Sequence, residues 1–257
     1  MKAHIVAGLG EVLWDLLPDG KQLGGAPANF AYHAKALGAE AWVVSRVGDD
    51  GLGREIVARM DGLKLKRECL TVDPEHATGT VSVELDGAGL PKYMIHENVA
   101  WDFIPVTDEL LDLARRADAV CYGTLGQRGR VSREAIRAFL GTTREDCLRV
   151  FDINLRQHFF DREILDWTLR KSTVVKFNDE ELPVVAATVG LEAGEADVQA
   201  GRPHHNNSFT RWARETRLQR RWRWACFEGR TWMRSMSGRT GWQRTCARKR
   251  GLRRKCH

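Results

Sequence analysis

Two adjacent glycines, a proline and an asparagine form the stretch best suited to contacting a ligand. The run Gly24-Gly25-Ala26-Pro27-Ala28-Asn29-Phe30-Ala31 ends a short polar segment and opens an alanine-rich helical pattern. Glycines permit backbone conformations that other residues avoid, and they let a ligand approach the main chain closely. Pro27 suits the first turn of a helix, where an N–H would have no partner. The run predicts either a ligand floor with the Asn29 carboxamide beside it, or an ordinary strand-to-helix turn.

Polar residues recur wherever a short apolar run ends. Five clusters of this kind follow apolar runs: Gly10-Glu11, Gly24-Gly25, Gly48-Asp49, Asp152-Ile153-Asn154 and Asn178-Asp179-Glu180-Glu181. Ligands of open parallel sheets bind beyond the carboxyl ends of the strands. The repetition of polar clusters at successive strand ends therefore predicts a polar crevice at that edge of a sheet.

Strand and helix patterns alternate along the chain, which favours a parallel sheet covered by helices on both faces. The predicted strands are 4–9, 41–47, 117–122, 148–153 and 173–177, and the predicted helices are 27–37, 54–60, 132–140 with Ser132 as its cap, 161–169 and 179–187. The alternation is interrupted at residues 80–85 and 92–96, where two short strand patterns flank the turn at 86–89. This is the pattern of a hairpin, and we expect it to stand apart from the sheet as a flap.

Length and composition indicate a globular protein of one large or two small domains. Of its 257 residues, 43% are hydrophobic, which is enough for a real core. We find neither a signal-peptide pattern nor an apolar run of the ~18 residues that a membrane span needs. Six cysteines without a secretory signal indicate a reducing compartment, and thus a cytoplasmic location. Cys121 and Cys147 lie in apolar runs and are predicted to be buried, and no Cys/His spacing is typical of a metal site.

The net charge of +6 averages two unlike parts of the chain. Residues 201–257 hold 17 of the 40 Lys and Arg but only two of the 34 Asp and Glu, so the first 200 residues are acidic. The same segment has five of the nine tryptophans, no valine, isoleucine or aspartate, and no helical or strand period. One hypothesis is a shift of reading frame near residues 195–200 of a GC-rich gene. The alternative is a basic arm that binds nucleic acid or an acidic surface, because arginines neutralise phosphates and aromatic rings stack on bases.

Seven segments, in order, resemble the ribokinase-like (PfkB) sugar kinases, and among these the chain looks most like the fructokinases. The segments are Gly10-Glu11 with Trp14-Asp15, 24–31, 47–53, 78–80, 100–102, 151–156 and 176–182. The resemblance covers roughly residues 4–190. It implies a three-layer α/β/α fold with a mostly parallel sheet and a small β-flap, or lid. We therefore expect a kinase domain over 1–195 with a lid hairpin at about 78–97, and a separate basic tail over 196–257.

The resemblance also implies an activity and a set of site residues. Family members transfer the γ-phosphoryl group of ATP to a sugar hydroxyl with the help of Mg²⁺, and they often pair through the lid. Carried over by motif, the sugar-binding residues are Asp15, Gly25, Asn29, Glu97, Ala100, Asn154 and Arg156; Asn178 and Glu181 help to organise the magnesium-bound phosphates, with Glu181 acting on the metal indirectly. The implied partners are a small sugar and a second copy of the chain, with no membrane.

Several of these residues also have purely structural interpretations, which the sequence leaves open. Asp15 would then be a turn residue, Trp14 and Trp101 would pack the flap, Asp49 and Asp50 would cap a helix, Arg156 would pair with Asp152, and Asn178 would be a helix N-cap.

The resemblance fails in the C-terminal part, where the family carries a Gly-Ala-Gly-Asp element. Its backbone N–H groups stabilise the transferring phosphoryl group, and its aspartate is the base for the sugar hydroxyl. The 257 residues contain no such element, because Asp86-Gly87-Ala88-Gly89 lies in the flap turn and is followed by leucine. We therefore predict little or no catalysis by this chain, with a sugar-binding pseudokinase as the alternative.

Overall fold

The computed structural model describes residues 3–85, 91–178 and 180–190. The strands are β1 (Ile5–Leu9), β2 (Leu13–Leu17), β3 (Gly20–Gly24), β4 (Glu40–Gly48), β5 (Leu70–Asp73), β6 (Thr80–Leu85), β7 (Pro91–Ile95), β8 (Ala119–Gly123), β9 (Leu148–Asp152) and β10 (Val174–Lys176). The helices are α1 (Ala26–Ala36), α2 (Gly51–Gly62), α3 (Asp108–Arg116), α4 (Arg130–Thr142), α5 (Arg162–Lys171) and α6 (Glu181–Val189), with short 3₁₀ helices at Ala100–Phe103 and Leu125–Gln127. The predicted flap turn at 86–89 and the predicted tail at 196–257 lie outside the described residues.

Six strands form a parallel sheet in the order β10-β9-β8-β1-β4-β5. Strand β1 is central and pairs with β4 and β8, for example Val6 with Ala41 and with Ala119. Alternate side chains of β1 enter different cores: Ile5 packs with α3, α4 and α5, whereas Val6 packs with α1 and α2. The prediction of a parallel sheet covered on both faces is therefore confirmed.

A second, four-stranded sheet forms the lid, in the order β3-β2-β6-β7. The hairpin β6–β7 agrees with the predicted flap, and its two strands are antiparallel. The prediction omitted β2 and β3, which form a hairpin of their own and join the flap through a parallel β2–β6 pair. A small apolar cluster holds the lid against the body, and its members include Leu13, Val81, Ile95, Trp101 and Phe159.

Several local predictions are corrected by the structure. Ser132 does not cap α4, which begins two residues earlier; its Oγ donates to the Trp101 carbonyl oxygen at 2.7 Å and accepts from the Ile104 N–H at 2.8 Å. Strand β5 and helix α3 are additional to the predicted elements. Cys121 and Cys147 are buried, as expected.

No helix among the described residues is long and apolar enough to cross a membrane.

Candidate functional site

The two adjacent glycines lie where the lid meets the first helix, and a Cβ on either would come within 3 Å of another atom. A Cβ on Gly24 would lie 2.5 Å from the Asp15 Oδ2 across the β2–β3 hairpin. Gly25 has a φ of +109°, in the region that favours glycine, and a Cβ there would collide with the Glu11 carbonyl oxygen. The diglycine is therefore a position where the backbone and a carboxylate approach closely.

Asp15 lies in the middle of β2 and shares a lid face with Leu13, because side chains alternate along a strand. Leu13 enters the apolar cluster between lid and body, whereas Trp14 packs into the core beneath α1 and α2. Asp15 therefore lies on the strand face opposite Trp14, and it is partly buried. Partial burial raises the pKa of its carboxyl group, and the charge of Arg156 opposes that rise.

Glu11 follows β1 and is almost completely buried, with 2% of its surface exposed. Its Oε1 accepts the N–H of Ala26, the first residue of α1, at 3.1 Å. Its Oε2 has no hydrogen-bond partner among the described residues. Burial is the main cause that raises the pKa of Glu11 to about 7; the charge of Asp152 adds to this, and Arg156 opposes it.

Arg156 connects the carboxylates electrostatically. It lies in the exposed loop after β9, and its Nη1 donates to the Leu155 carbonyl oxygen at 2.9 Å. Its charge lowers the pKa of three carboxyl groups that lie on separate segments: Glu11, Asp15 and Asp152. Asp152 is not paired with Arg156; its ion pair is with Lys176, 2.9 Å away, while burial raises its pKa. The charge of Arg156 thus acts on two carboxyl groups at or just after the ends of parallel strands, Glu11 and Asp152, and on Asp15 of the lid strand β2.

Asn178 and Glu181 bind each other's backbone at the start of α6. The Asn178 Oδ1 accepts the N–H groups of Glu180 and Glu181 at 2.9 and 2.8 Å. In return, the Glu181 Oε2 accepts the Asn178 N–H at 2.9 Å, and its Oε1 accepts the Leu155 N–H at 2.9 Å. Asn178 therefore has the N-cap geometry that the sequence left open.

The remaining predicted sugar-binding residues differ in how far they are exposed to solvent. Asn29 is partly exposed in the first turn of α1, and its N–H donates to the Gly25 carbonyl oxygen. Asn154 follows β9 with a φ of +42°, and Glu97 is exposed. Ala100 is fully buried, and its N–H already donates to the Ala77 carbonyl oxygen at 2.8 Å. A ligand contact through the Ala100 N–H would require that bond to open.

The structural interpretations of the other residues agree with the geometry except for Asp49. Asp50 caps α2, since its Oδ1 accepts the Gly53 N–H at 2.7 Å. Asp49 does not cap the helix but pairs with Arg54 at the surface. Trp14 of the lid strand β2 and Trp101 are fully buried packing residues.

A buried guanidinium group that no sequence motif indicates lies at the base of the lid. Arg128 pairs with Asp102, and both side chains are only 7% exposed. Its Nη2 also donates to the carbonyl oxygen of His96, which follows β7, and the guanidinium lies over the rings of Trp101 and Phe159 at 4.0 and 4.7 Å. Arg128 thereby joins the lid, the body and the loop after β9.

The possible positions for a metal ion are limited in the described part of the chain. It contains no group of three or more His, Cys, Asp or Glu side chains arranged to hold a cation. Glu181 is 6% exposed and has a backbone N–H on each carboxylate oxygen, so it does not fit the role of a direct magnesium ligand. Two surface depressions of about 270 and 200 Å³ lie elsewhere, beside Lys66 and beside Val72.

A parallel sheet between helices with polar residues at its strand ends is typical of α/β proteins whose ligands bind beyond the carboxyl ends of the strands. Residues 19–205 match the model of the pfkB family carbohydrate kinases. The chain therefore belongs to the pfkB family of carbohydrate kinases.

Individual relatives agree with this assignment. The chain is 30% identical to a fructokinase of Salmonella typhimurium over 202 residues, which cover 74% of this chain and 65% of the relative. It is 27% identical to a sugar kinase of Pyrococcus horikoshii over 195 residues, covering 69% of this chain and 63% of the relative. The chain thus spans just under two thirds of the length of these curated relatives.

Solved structures of similar proteins share the fold. The structure of a fructokinase from Vibrio cholerae O395 with fructose, ADP and calcium superimposes with a TM-score of 0.61 at 27% identity, covering 77% of this chain and 66% of that one. The ATP complex of the Pyrococcus horikoshii sugar kinase gives a TM-score of 0.64 at 27% identity, covering 73% of this chain and 67% of that one. The predicted ribokinase-like fold is confirmed.

Proposed function

We propose that this chain binds a small sugar between the lid and the carboxyl ends of the parallel strands, with fructose as the first candidate. The observation that carries the proposal is that the charge of Arg156 acts both on Asp15 of the lid strand β2 and on Glu11 and Asp152 at the ends of the parallel strands. Carboxylates accept hydrogen bonds from sugar hydroxyls, and a guanidinium group donates to sugar or phosphate oxygens. The fructokinase relatives support the choice of sugar.

In this proposal each residue has a limited task. The carboxylate of Asp15 accepts hydrogen bonds from the sugar hydroxyl groups, Gly25 leaves room at the backbone, and the Asn29 carboxamide both donates and accepts. Asn154 and Arg156 line the opposite wall, and Glu97 and the Ala100 backbone lie near the end of the lid. The lid sheet covers the sugar and excludes water, which competes with it as the phosphoryl acceptor.

We further propose that the complete family reaction, in which ATP is the phosphoryl donor and Mg²⁺ accompanies it, is not supported by these 257 residues alone. Magnesium would neutralise charge on the phosphates. The described part contains no group of three or more His, Cys, Asp or Glu side chains that could hold it, and the chain contains no Gly-Ala-Gly-Asp element to supply the base. A sugar-binding protein with little or no turnover, a pseudokinase, is the second candidate, and the absence of that element favours it.

The experiment combines binding and turnover on the purified chain. Calorimetry with fructose, ribose and 2-keto-3-deoxygluconate measures sugar affinity, and a coupled assay with ATP and Mg²⁺ measures phosphoryl transfer to the same sugars. We expect saturable binding of one sugar and no turnover. Turnover would contradict the proposed loss of activity, and the absence of binding to all three sugars would contradict the proposed pocket.

By resemblance we also propose a cytoplasmic protein that forms a homodimer through the lid. Sedimentation equilibrium tests the dimer: a single species with the mass of one chain at micromolar concentration would contradict it.

A further inference from the structure

The loop after β9 carries two proposed sugar-binding residues, Asn154 and Arg156, and it has an unusual backbone. Asn154 has a φ of +42° and Gln157 a φ of +47°, in the left-handed region that side chains other than glycine seldom adopt. Such conformations persist only where surrounding contacts hold them. The structure must therefore contain a group that fixes this loop.

The Gln157 side chain donates to the Tyr93 carbonyl oxygen at 3.0 Å, and a second group that holds the loop is the carboxylate of Glu181, 26 residues beyond Leu155. Its Oε1 accepts the N–H of Leu155, the residue between Asn154 and Arg156, at 2.9 Å. Its Oε2 accepts the Asn178 N–H at the end of the neighbouring strand β10, also at 2.9 Å. Hydrogen bonds to an ionised carboxylate are about twice as strong as neutral ones. One buried side chain thus connects the loops that follow two adjacent strands.

The surroundings of Glu181 explain why the carboxylate stays in this position. Only 6% of Glu181 is exposed, and the Asn178 Oδ1 accepts the Glu181 N–H at the same helix end. Asp152 is close enough for the Glu181 charge to raise its pKa, while Lys176 pairs with Asp152 and balances the charge. Because both oxygens of Glu181 are already bound to backbone N–H groups, the carboxylate serves as a connection between loops.

We propose that Glu181 is a positioning residue for the sugar site, which holds Asn154 and Arg156 in place through the Leu155 N–H and does not bind magnesium directly. The expected change in sugar affinity rests on the proposed function, whereas the contact between Glu181 and the loop does not. A glutamine at this position accepts only through its amide oxygen, and its NH₂ group faces one of the two N–H donors. Glu181→Gln therefore breaks one connection with almost no change of volume.

The test compares wild type, Glu181→Gln and the control Glu180→Gln, whose side chain is exposed next to the same helix end. Hydrogen exchange of the Leu155 amide is measured without ligand, and fructose affinity is measured by calorimetry without nucleotide or metal. We expect the Leu155 amide to exchange at least tenfold faster in Glu181→Gln than in wild type. The variant should also bind fructose roughly tenfold more weakly, as the loss of one charge-assisted hydrogen bond implies. The control should match wild type in both.

The outcomes separate the alternatives. Unchanged Leu155 exchange and unchanged fructose affinity would overturn the inference, as would a variant that weakens only metal-dependent nucleotide binding. A merely structural residue would lower the unfolding midpoint without changing either readout. If wild type binds no fructose, the proposed function fails, while Leu155 exchange still decides the role of Glu181. If Glu181→Gln does not fold, exchange in wild type decides: an unprotected Leu155 amide overturns the inference, and strong protection supports it.

Discussion

Replacing Glu11 by glutamine should remove a pH-dependent cost to the stability of this protein. Burial raises the pKa of Glu11 from 4.5 to about 7 in the folded chain. The folded state therefore favours the protonated carboxyl group, and the stability linked to this group is complete below pH 4.5 and is lost as the pH rises through 7. The corresponding free energy is roughly 3 kcal/mol, because one pKa unit is worth about 1.4 kcal/mol.

The neighbours of Glu11 determine the sign and the size of this effect. Only 2% of the residue is exposed, so solvent screening is small. The Ala26 N–H and the charge of Arg156 stabilise the ionised form, but burial and the charge of Asp152 outweigh them. A glutamine retains an oxygen for the Ala26 N–H and carries no charge at any pH.

The assay is urea unfolding of wild type and Glu11→Gln at pH 5, 6, 7 and 8. The free energy of unfolding of the variant minus that of wild type should rise by about 2.5 kcal/mol between pH 5 and pH 8, with most of the change below pH 7.5. The exposed Glu75→Gln serves as the control and should show a constant difference. A difference for Glu11→Gln that does not depend on pH would refute the reasoning.

Two further predictions concern the contacts around the lid. Gly25→Ala should destabilise the fold by about 1–3 kcal/mol in urea and abolish sugar binding, because its φ of +109° and the Glu11 carbonyl oxygen both oppose a Cβ. Gly20 also has a positive φ, but a Cβ there would meet nothing within 4 Å, so Gly20→Ala should still bind the sugar. An equal loss of sugar binding in both variants would contradict the argument. Arg128→Met should cost about 3–5 kcal/mol on thermal or urea unfolding, since it leaves the buried carboxylate of Asp102 unpaired. Arg130→Met removes an exposed ion pair and should cost less than about 1 kcal/mol, and similar losses at both positions would count against the proposed role of Arg128.

Much of the sheet could be predicted because β1, β4 and β8 are buried along most of their length and read as apolar runs, and the half-exposed β9 and β10 still carry short apolar runs. Strands β1, β4, β8, β9 and β10 lie within one or two residues of their predicted limits. Strand β5 is only four residues long and follows a charged segment, so it carries too little pattern to stand out. The lid strand β2 has the sequence Leu-Trp-Asp-Leu-Leu, whose apolar residues do not alternate, because both of its faces contact other parts of the chain.

The candidate site could be predicted only where a residue belongs to a recognisable segment. The predicted polar clusters do lie at strand ends, and the charge of Arg156 acts on Asp15, but the ligand site itself stays a prediction. The burial of Glu11 could have been predicted, because Glu11 is an acidic residue within the apolar stretch from Leu9 to Trp14. Its hydrogen bond to the first residue of α1 could not, because no local pattern indicates it. The link from Glu181 to Leu155 depends on the packing of two neighbouring strand ends, which no local pattern reports.

The central claim, that a sugar binds beneath the lid through Asp15, is tested most directly by calorimetry with fructose. Wild type, Asp15→Asn and Asp19→Asn should be compared, because Asp19 is an exposed carboxylate in the turn of the same hairpin. We expect wild type and Asp19→Asn to bind with equal affinity, and Asp15→Asn to bind at least tenfold more weakly while unfolding at a similar urea concentration. Equal binding by all three proteins, or none by wild type, would contradict the account.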